Sequence, residues 1–299
     1  MRIITVIVLF AVSLAAASGA EPAAVDLPGI HNAFRVTDRI FSGSQPADDA
    51  AFAALASAGV KTIISVDGGR PDVAAAKRHG LRYVHLPIGY DGIPSARVPE
   101  FVKAATETEG RIFIHCHHGK HRGPAAAGIL CEAVAGWTSA EAEDWLRRAG
   151  TGADYPGLYR AVREFSAPTK EQIAGAGPLR EIAKTAGLVD AMVAIDAQFD
   201  ALKAAQRTGW KIPPGDPAMP AAANATLLRE QFRELARAPH TAKRPDSYRK
   251  HLAESENAAA ALLELVRRRA QDTNALDAAF HATTQSCTAC HEAFRNTKE

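Results

Sequence analysis

Residues 111–124 read Arg-Ile-Phe-Ile-His-Cys-His-His-Gly-Lys-His-Arg-Gly-Pro, and the architecture of the first domain can be worked out from them. The segment Arg111–His115 is a continuous run of mostly β-branched and aromatic residues, which is the pattern of a buried strand. Pro124 opens an alanine-rich segment that favours a helix, because alanine loses no side-chain entropy there. The sequence therefore predicts a strand, a short loop from Cys116 to Arg122, and a helix.

The residue types in this loop suit the binding of a phosphate group. A tight loop at a helix N-terminus points several backbone N–H groups inward, and the helix dipole lies behind them. Gly119 lets the chain bend without a Cβ in the way, and Arg122 carries a planar guanidinium that can hold two phosphate oxygens. Cys116 lies where this positive field favours the thiolate, which is the nucleophilic form. Lys120 and His121 are expected to make the mouth of the loop more basic.

The pattern His-Cys-x5-Arg resembles the signature of the cysteine-dependent protein tyrosine and dual-specificity phosphatases. Here it is formed by His115, Cys116 and Arg122. The run Gly-Lys-His-Arg at 119–122 is similar to the plant and fungal atypical dual-specificity branch, some members of which act on inositol pyrophosphates. The likeness covers roughly 34–165 and includes the Gly-Trp-Thr turn at 136–138. It implies an α/β domain whose central sheet ends in the Cys-x5-Arg loop.

The resemblance also implies roles for single residues. Cys116 would attack phosphorus and carry a phosphocysteine intermediate, Arg122 would bind the phosphoryl oxygens, and His115 would help to hold the thiolate. A general acid is needed as well, and Asp91 is the only aspartate between the strand predicted at Arg82–Leu86 and Cys116. The expected phosphate-binding residues are His117, His118, Gly119, Lys120, His121 and Arg122.

Two of these positions leave alternatives open. Asp91 precedes Gly92 in a Tyr-Asp-Gly-Ile-Pro stretch, so the other interpretation of this aspartate is a turn former. The phosphatase families usually have serine or threonine directly after the arginine, where it helps the cysteine leave in the second step, whereas this chain has Gly123. Slow hydrolysis, or phosphate binding without turnover, is therefore a competing expectation.

Short β-rich runs alternate with helical ones through the predicted phosphatase-like domain at 21–166, which favours an α/β arrangement. The candidate strands are Arg39–Ser42, Thr62–Val66, Arg82–Leu86 and Arg111–His115. The candidate helices are Ala47–Ser57, Pro71–His79, Val98–Thr108, Pro124–Ala135, Ser139–Ala149 and Leu158–Phe165.

Residues 167–178 are predicted as a linker, because Pro168, Gly175 and Gly177 interrupt any regular pattern. Beyond this stretch the sequence contains no strand candidate, and four amphipathic segments predict a four-helix bundle over 179–299. The predicted helices are Leu179–Arg207, Ala221–Ala238, Pro245–Ala270 and Asn274–Asn296.

The last predicted helix contains Cys-Thr-Ala-Cys-His at 287–291, which is the attachment pattern for a c-type haem. In this pattern the two thiols, here Cys287 and Cys290, add to the haem vinyl groups, and the histidine, here His291, ligates the iron. A thioredoxin-like redox pair would need a βαβ setting, and a zinc site would need two more ligands. The predicted cofactor is therefore a covalently bound haem c.

The segment Gln-Ser-Cys-Thr-Ala-Cys-His-Glu-Ala-Phe-Arg at 285–295 resembles the C-terminal motif of cytochrome c-prime, a family of four-helix bundles with the haem near one end. The resemblance implies that His291 is the proximal ligand and that the domain binds small gases or passes single electrons. It also makes a homodimer an expectation by analogy. Chemistry alone offers Met192, His251 and His281 as candidate distal ligands, and each has a surface or core position as its competing interpretation.

The first twenty residues have the pattern of an export signal. Met1-Arg2 is followed by the apolar run Ile3–Ala17 and by small residues at 18–20. The run is shorter than the ~20 residues that cross a bilayer, so a cleaved signal peptide at 1–20 and a periplasmic location are expected, with an uncleaved anchor as the alternative. The formal charge of +2 gives no argument for a nucleic-acid partner.

The first hypothesis is a periplasmic phosphatase that acts on a phosphorylated small molecule or protein, fused to a haem domain that senses gas or redox state. The second hypothesis is an electron-transfer or gas-binding cytochrome whose first domain only binds phosphate or a redox partner. The third is persulfide chemistry at Cys116, which the phosphate-suited Arg122 disfavours.

Overall fold

The structure is a computed structural model that describes residues 21–185, 187–211, 220–270 and 272–295. The signal peptide predicted at 1–20 lies outside the described residues. A sheet with helices on both faces is followed by a set of long helices. Within the described ranges, no helix combines the length and the apolar character needed to cross a membrane.

The first region is built on a six-stranded sheet in the order β1-β2-β3-β6-β4-β5. Its strands are β1 (Ala23–Ala24), β2 (Phe34–Arg35), β3 (Ile40–Ser44), β4 (Val60–Ser65), β5 (Arg82–His85) and β6 (Arg111–Cys116). Strands β3, β6, β4 and β5 run parallel, and β1 and β2 are antiparallel additions at one edge. The carboxyl end of β6 therefore lies between two parallel neighbours, which is where open α/β sheets bind ligands.

Helices cover both faces of the sheet. They are α1 (Asp49–Ser57), α2 (Val73–Arg78), α3 (Val98–Thr106), α4 (Arg122–Val134), α5 (Ser139–Arg148) and α6 (Pro156–Arg163). Alternate residues of β6 point to opposite faces: Phe113 packs in the cluster that includes α1 and α2, whereas Ile112 and Ile114 pack in the cluster that includes α3 to α6. Burial on both faces explains why the β6 sequence is an unbroken apolar run.

The four predicted strands occur as β3 to β6, and the α/β fold expected for the first domain is confirmed. Strands β1 and β2 were not predicted, because two residues are too few to show a period. Helix α4 begins at Arg122, two residues before the predicted start, so the arginine of the loop is also the first residue of the helix.

The stretch predicted as an irregular linker contains a short helix, α7 (Lys170–Gly175). Thr169 caps it through the backbone N–H of Gln172, and Lys103 of α3 donates to the carbonyl of Ala176 at 2.9 Å. The helix predicted to begin at residue 179 begins at residue 188 instead. The residues before it lie against the sheet edge, where the N–H of His85 donates to the carbonyl of Arg180 at 2.8 Å. The edge strand β5 has backbone groups that need hydrogen-bond partners, and the segment before residue 188 supplies one. This pairing prevails over the helical pattern of the sequence from residue 179.

Over its described residues, the second region has four long helices with a common core, which confirms the predicted bundle. They are α8 (Leu188–Arg207), α9 (Pro220–Arg237), α10 (Asp246–Arg267) and α11 (Thr273–Phe294). The core includes Leu202 of α8, Leu228 of α9, Leu262 of α10 and Phe280 of α11. Helix α9 also reaches the first domain, where its Leu227 packs against the core of the sheet.

Candidate active site and haem cavity

The Cys-x5-Arg loop leads directly from the central strand into a buried helix. β6 ends at Cys116, which is 2% exposed, and α4 begins at Arg122, which is 0% exposed. Ser44 of β3 lies opposite Cys116 in the ladder, and the N–H of Gln45 donates to the carbonyl of His117 at 3.2 Å. The first N–H groups of a helix have no partner within the helix, so those of α4 are available to an anion beside Cys116.

Gly119 is required by both conformation and space. Its φ is +70°, in the left-handed region that favours glycine. A Cβ at this position would overlap the backbone of Gly43 and Ser44. The side-chain amide of Asn32 donates to the carbonyls of Gly119 and Ala149, both at 2.9 Å, and so ties the turn to the end of α5.

Arg122 is held by groups that the sequence reasoning did not identify. One guanidinium nitrogen donates to Asp67 Oδ1 at 2.9 Å and to the Tyr90 hydroxyl at 2.8 Å, and the other donates to the carbonyl of Ile88 at 3.3 Å. Burial alone would raise the pKa of the Asp67 carboxyl, but Arg122 and Arg237 hold it well below its usual range. Asp67 directly follows a predicted strand, and this position at the carboxyl end of a parallel strand could have identified it.

Aromatic side chains form one wall beside Arg122. The Tyr90 ring lies 3.9 Å from the guanidinium carbon, a cation–π contact, and Tyr155 lies 5.7 Å from Tyr90 between ring centres. His121 stacks on Tyr155 at 4.2 Å between ring centres. The arginine is therefore fixed by a carboxylate, a hydroxyl and an aromatic face before any substrate binds.

His115 precedes the nucleophile and is completely buried. Its Nε2 lies 2.8 Å from the Tyr83 hydroxyl, and its ring stacks on Phe113. Burial lowers the pKa of His115 from its ordinary 6.5 to about 4. The imidazole is therefore neutral at neutral pH and can act on Cys116 only as a hydrogen-bonding group.

This depressed pKa predicts that acid destabilises the first domain. Between pH 6.5 and 4 the unfolded chain binds a proton on His115 that the folded chain excludes, so the free energy of unfolding falls as pH falls through that window. At pH 5 we expect a loss of roughly 2 kcal/mol relative to neutral pH from this one residue. Urea unfolding at pH 7 and at pH 5 measures this difference in the free energy of unfolding. In His115→Gln, the stability lost between pH 7 and pH 5 should be smaller by that amount. In His281→Gln, a control at an exposed histidine, this loss should equal that of the wild type. Equal losses in the two variants would contradict the prediction.

The mouth of the loop is less basic than the sequence suggested. Burial lowers the pKa of His117 and of His121 to about 4, and it lowers the pKa of His118 as well. These imidazoles are neutral at pH 7, because they pack against aromatic rings and against arginines of α9. Lys120 is exposed beside them at the mouth of the loop.

Asp91 is exposed to solvent and directly follows Tyr90, whose hydroxyl accepts a hydrogen bond from Arg122. Its backbone carbonyl accepts a hydrogen bond from Arg160 at 3.1 Å, and its carboxylate folds back over Gly89. The carboxylate makes no hydrogen bond or ion pair with any residue in the described ranges. Both interpretations of Asp91 made from the sequence therefore stay open.

The second site is a cavity of about 760 Å³ in the bundle, between α8 and α11. Cys287, Cys290 and His291 all line it, because residues spaced three and four apart lie on one face of a helix. The rest of the wall is mostly apolar and includes Met192, Phe199, Phe232 and Leu252. An apolar cavity with two free thiols and an imidazole at its wall fits a haem, and these are the residues that would hold it.

The three candidate distal ligands lie in different places. Met192 lines the cavity, whereas His251 packs on Phe294 and lies 3.4 Å from Glu254. His281 is exposed on α11, the helix that carries His291. Of these three, the structure brings only Met192 to the cavity.

Comparison with known families agrees with both halves of the chain. Residues 34–174 match the family model described as Swiss Army Knife protein, DSP-PTPase phosphatase domain. Residues 217–295 match the family model described as cytochrome c′, a family that implies a haem cofactor.

Individual relatives match the first domain. The dual specificity protein phosphatase TpbA of Pseudomonas aeruginosa is 31% identical over 125 residues, which are 40% of this chain and 56% of that protein, so the match spans little more than half of the relative. Its crystal structure aligns with 27% identity over 53% of this chain and 98% of that chain, with a TM-score of 0.43. The core catalytic domain of the PP-IP phosphatase SIW14 from S. cerevisiae, in complex with citrate, aligns with 20% identity over 52% of this chain and 99% of that chain, with a TM-score of 0.44.

Proposed function

We propose that this chain, in which a dual-specificity-phosphatase-like domain precedes a cytochrome c′-like domain, is a periplasmic cysteine-dependent phosphatase that carries a covalent haem c. The observation that carries the proposal is the position of Cys116, at the end of the central strand and beside the first turn of α4, where the buried Arg122 begins the helix. The substrate class is a phosphomonoester of a small molecule or of a protein.

The reaction would proceed in two displacements at phosphorus. In the first, Cys116 Sγ forms a bond to phosphorus, the bond from phosphorus to the ester oxygen breaks, and Asp91 gives that oxygen its proton. In the second, Asp91 takes a proton from water, the water oxygen bonds to phosphorus, and the S–P bond breaks to release inorganic phosphate and the thiolate. Arg122, oriented by Asp67 and Tyr90, holds the equatorial oxygens in both steps.

In the second domain, Cys287 and Cys290 would hold the haem through thioether bonds, and His291 would ligate its iron. The bound group supplies one-electron redox chemistry or the binding of a diatomic gas. Phe199 and Phe232 line the cavity and would give the bound group an apolar contact surface. A haem c is attached outside the cytoplasm, so this cofactor supports the periplasmic location proposed from residues 1–20.

Rapid mixing of the periplasmically matured full chain with p-nitrophenyl phosphate tests the proposal. We expect a burst of p-nitrophenolate close to one per chain, an acid-quenched Cys116 peptide heavier by one phosphoryl group, and a pyridine haemochrome spectrum of haem c. A chain that neither releases p-nitrophenolate nor binds vanadate would overturn the phosphatase function.

Two substrates that differ in their leaving group can show whether Asp91 is a general acid or only a turn former. p-Nitrophenolate leaves without a proton, whereas an alkyl oxygen needs one, and kcat/KM reports the step in which this oxygen leaves. Asp91→Asn should therefore lower kcat/KM for β-glycerophosphate about 100-fold more than kcat/KM for p-nitrophenyl phosphate. Asp38→Asn, at an exposed aspartate of the same domain, should leave both rates unchanged. Equal losses on the two substrates would identify Asp91 as a turn residue.

Gly123 predicts that hydrolysis of the phosphocysteine is the slow step. A Cβ built at this position lies 3.5 Å from Cys116 Sγ. A serine hydroxyl there can therefore donate a hydrogen bond to the departing thiolate, once the neighbouring backbone has shifted by a few tenths of an ångström. Gly123→Ser should speed the steady-state rate about tenfold and leave the burst amplitude unchanged. A rate at or below that of the wild type would show that breaking the S–P bond does not limit turnover.

A second candidate function is a gas-binding or electron-transfer cytochrome whose first domain binds an anion without turnover. Gly123 favours it, and so does the ion pair that Arg122 makes with Glu234 of α9. This function predicts reversible haem chemistry with no burst.

A further inference from the structure

One face of helix α9 lies on the phosphatase loop. Its charged residues recur at helical spacing, so they share one side of the helix. They are Glu230, Arg233, Glu234 and Arg237. Each of the four contacts a residue of the first domain.

The deepest of these contacts is at Arg122. The Glu234 carboxylate forms an ion pair with one guanidinium nitrogen of Arg122 and lies against Gly68. A carboxylate has two coplanar oxygens that match the guanidinium fork, as two oxygens of a phosphoryl group do. Glu234 therefore uses the donor that the proposed mechanism assigns to the substrate.

The flanking residues clamp the helix in place. Arg237 lies 2.6 Å from Asp67 Oδ2, and Arg233 lies 3.4 Å from His118 Nε2. The Tyr155 hydroxyl donates to Glu230 at 3.3 Å. These contacts flank the loop in which Cys116 is 2% exposed.

The opposite face of the same helix belongs to the haem domain. Phe232 is buried and lines the haem cavity, and Leu228 and Leu235 pack in the bundle core. Phe232 is adjacent in sequence to Arg233 and lies two residues before Glu234. A shift of α9 that changes the cavity wall must therefore also move the carboxylate at Arg122, because a helix moves as a rigid element.

We propose that Glu234 is an internal anion that occupies the phosphate position of the Cys116 loop, so that α9 holds the phosphatase site closed until a change at the haem cavity moves the helix. The inference rests on the proposed function of the loop and adds its regulation. An anion and Glu234 exclude each other at Arg122, so the apparent affinity for a phosphate-like ligand is reduced by the fraction of molecules that are closed.

The test compares three full-length, haem-loaded proteins: wild type, Glu234→Gln and Glu264→Gln. Glu264 is an exposed glutamate of α10 in the same domain, paired only with Arg268 among the described residues, and serves as the matched control. The first measurement is orthovanadate affinity by calorimetry. The second is the rate at which iodoacetamide modifies Cys116, located by peptide mass mapping. Glu234→Gln should bind vanadate at least about tenfold more tightly and be alkylated at least about tenfold faster, with the control at wild-type values.

Unchanged affinity and alkylation in Glu234→Gln would overturn the proposal. A far-ultraviolet spectrum and the haem Soret band check that the variant is folded. If it is not, Arg233→Gln removes the contact with His118 without touching Arg122, and it should give a smaller increase in both measurements. If Glu234→Gln binds vanadate more tightly but no variant hydrolyses a phosphate ester, the phosphatase function is rejected. The proposal that Glu234 blocks the Cys116 loop then still holds.

A separate measurement tests whether the haem cavity and the Cys116 loop are coupled through α9. If both sites bias the position of α9, saturating vanadate must change the affinity of the reduced haem for carbon monoxide by the same factor by which carbon monoxide changes the affinity for vanadate. We expect a change of about threefold or more in wild type and a smaller one in Glu234→Gln. Identical carbon monoxide affinities with and without vanadate would refute control through the haem cavity.

Discussion

Cys116→Ser is expected to lower phosphate-ester hydrolysis by at least about 10⁴-fold, because a serine hydroxyl beside α4 is a far weaker nucleophile than a thiolate. The sulfur lies at the end of β6 among the donors of the loop, and serine keeps the shape of the site while removing its chemistry. The rate of p-nitrophenyl phosphate hydrolysis should be measured in wild type and in the Glu234→Gln background, where the proposed blocking group is absent.

The matched control for this prediction is Cys131→Ser. Cys131 lies inside α4 with no exposed surface, and burial raises the pKa of its thiol far above the physiological range, so it cannot act as the nucleophile. Its variant should keep the wild-type rate per folded molecule. A Cys116→Ser protein that hydrolyses the ester as fast as the Cys131→Ser protein would show that the chemistry occurs elsewhere.

Arg122→Lys is expected to lower kcat/KM by about 10³-fold although it keeps the positive charge. The guanidinium of Arg122 bonds Asp67, the Tyr90 hydroxyl and the Ile88 carbonyl at once and still presents a planar fork, whereas one ammonium group cannot make all these bonds. Part of the loss should appear as weaker vanadate binding, since the substrate oxygens lose a bidentate donor.

Arg147→Lys provides the control for this substitution. Arg147 is exposed on α5 and pairs with Glu143 and Asp144, so the exchange should leave kcat/KM and vanadate affinity unchanged. Urea unfolding shows whether Arg122→Lys is folded, because a poorly matched cation beside buried Asp67 is expected to destabilise the domain by a few kcal/mol. A folded Arg122→Lys protein with wild-type kcat/KM would contradict a role for the fork.

The interface between the domains changes how the activity of the wild-type chain should be interpreted. Weak turnover by the intact protein would have two separate physical sources, Gly123 beside Cys116 Sγ and Glu234 at Arg122. Gly123→Ser acts on a step after the ester oxygen has left, whereas Glu234→Gln acts on substrate entry. Gly123→Ser should therefore raise mainly kcat, whereas Glu234→Gln should raise mainly kcat/KM.

Much of this molecule follows from its sequence alone. The apolar run before Cys116, the Cys-x5-Arg spacing and the Cys-x-x-Cys-His pattern predict a central strand, an anion-binding loop and a haem helix, because each depends on residues that are close in the chain. The structure contains the strand, the loop and the helix at these positions, and it places Cys287, Cys290 and His291 at one cavity.

What the sequence could not predict depends on residues brought together from distant parts of the chain. Asp67 lies 55 positions before its partner Arg122, and Glu234 reaches the same guanidinium from another domain. Two expectations were wrong for the same reason. The helix predicted from residue 179 begins later because a sheet edge bonds the backbone before it, and His121 is not basic because burial lowers its pKa. Periodicity and spacing describe which face of an element is apolar, but the burial of a charge and its choice of partner exist only after the elements pack.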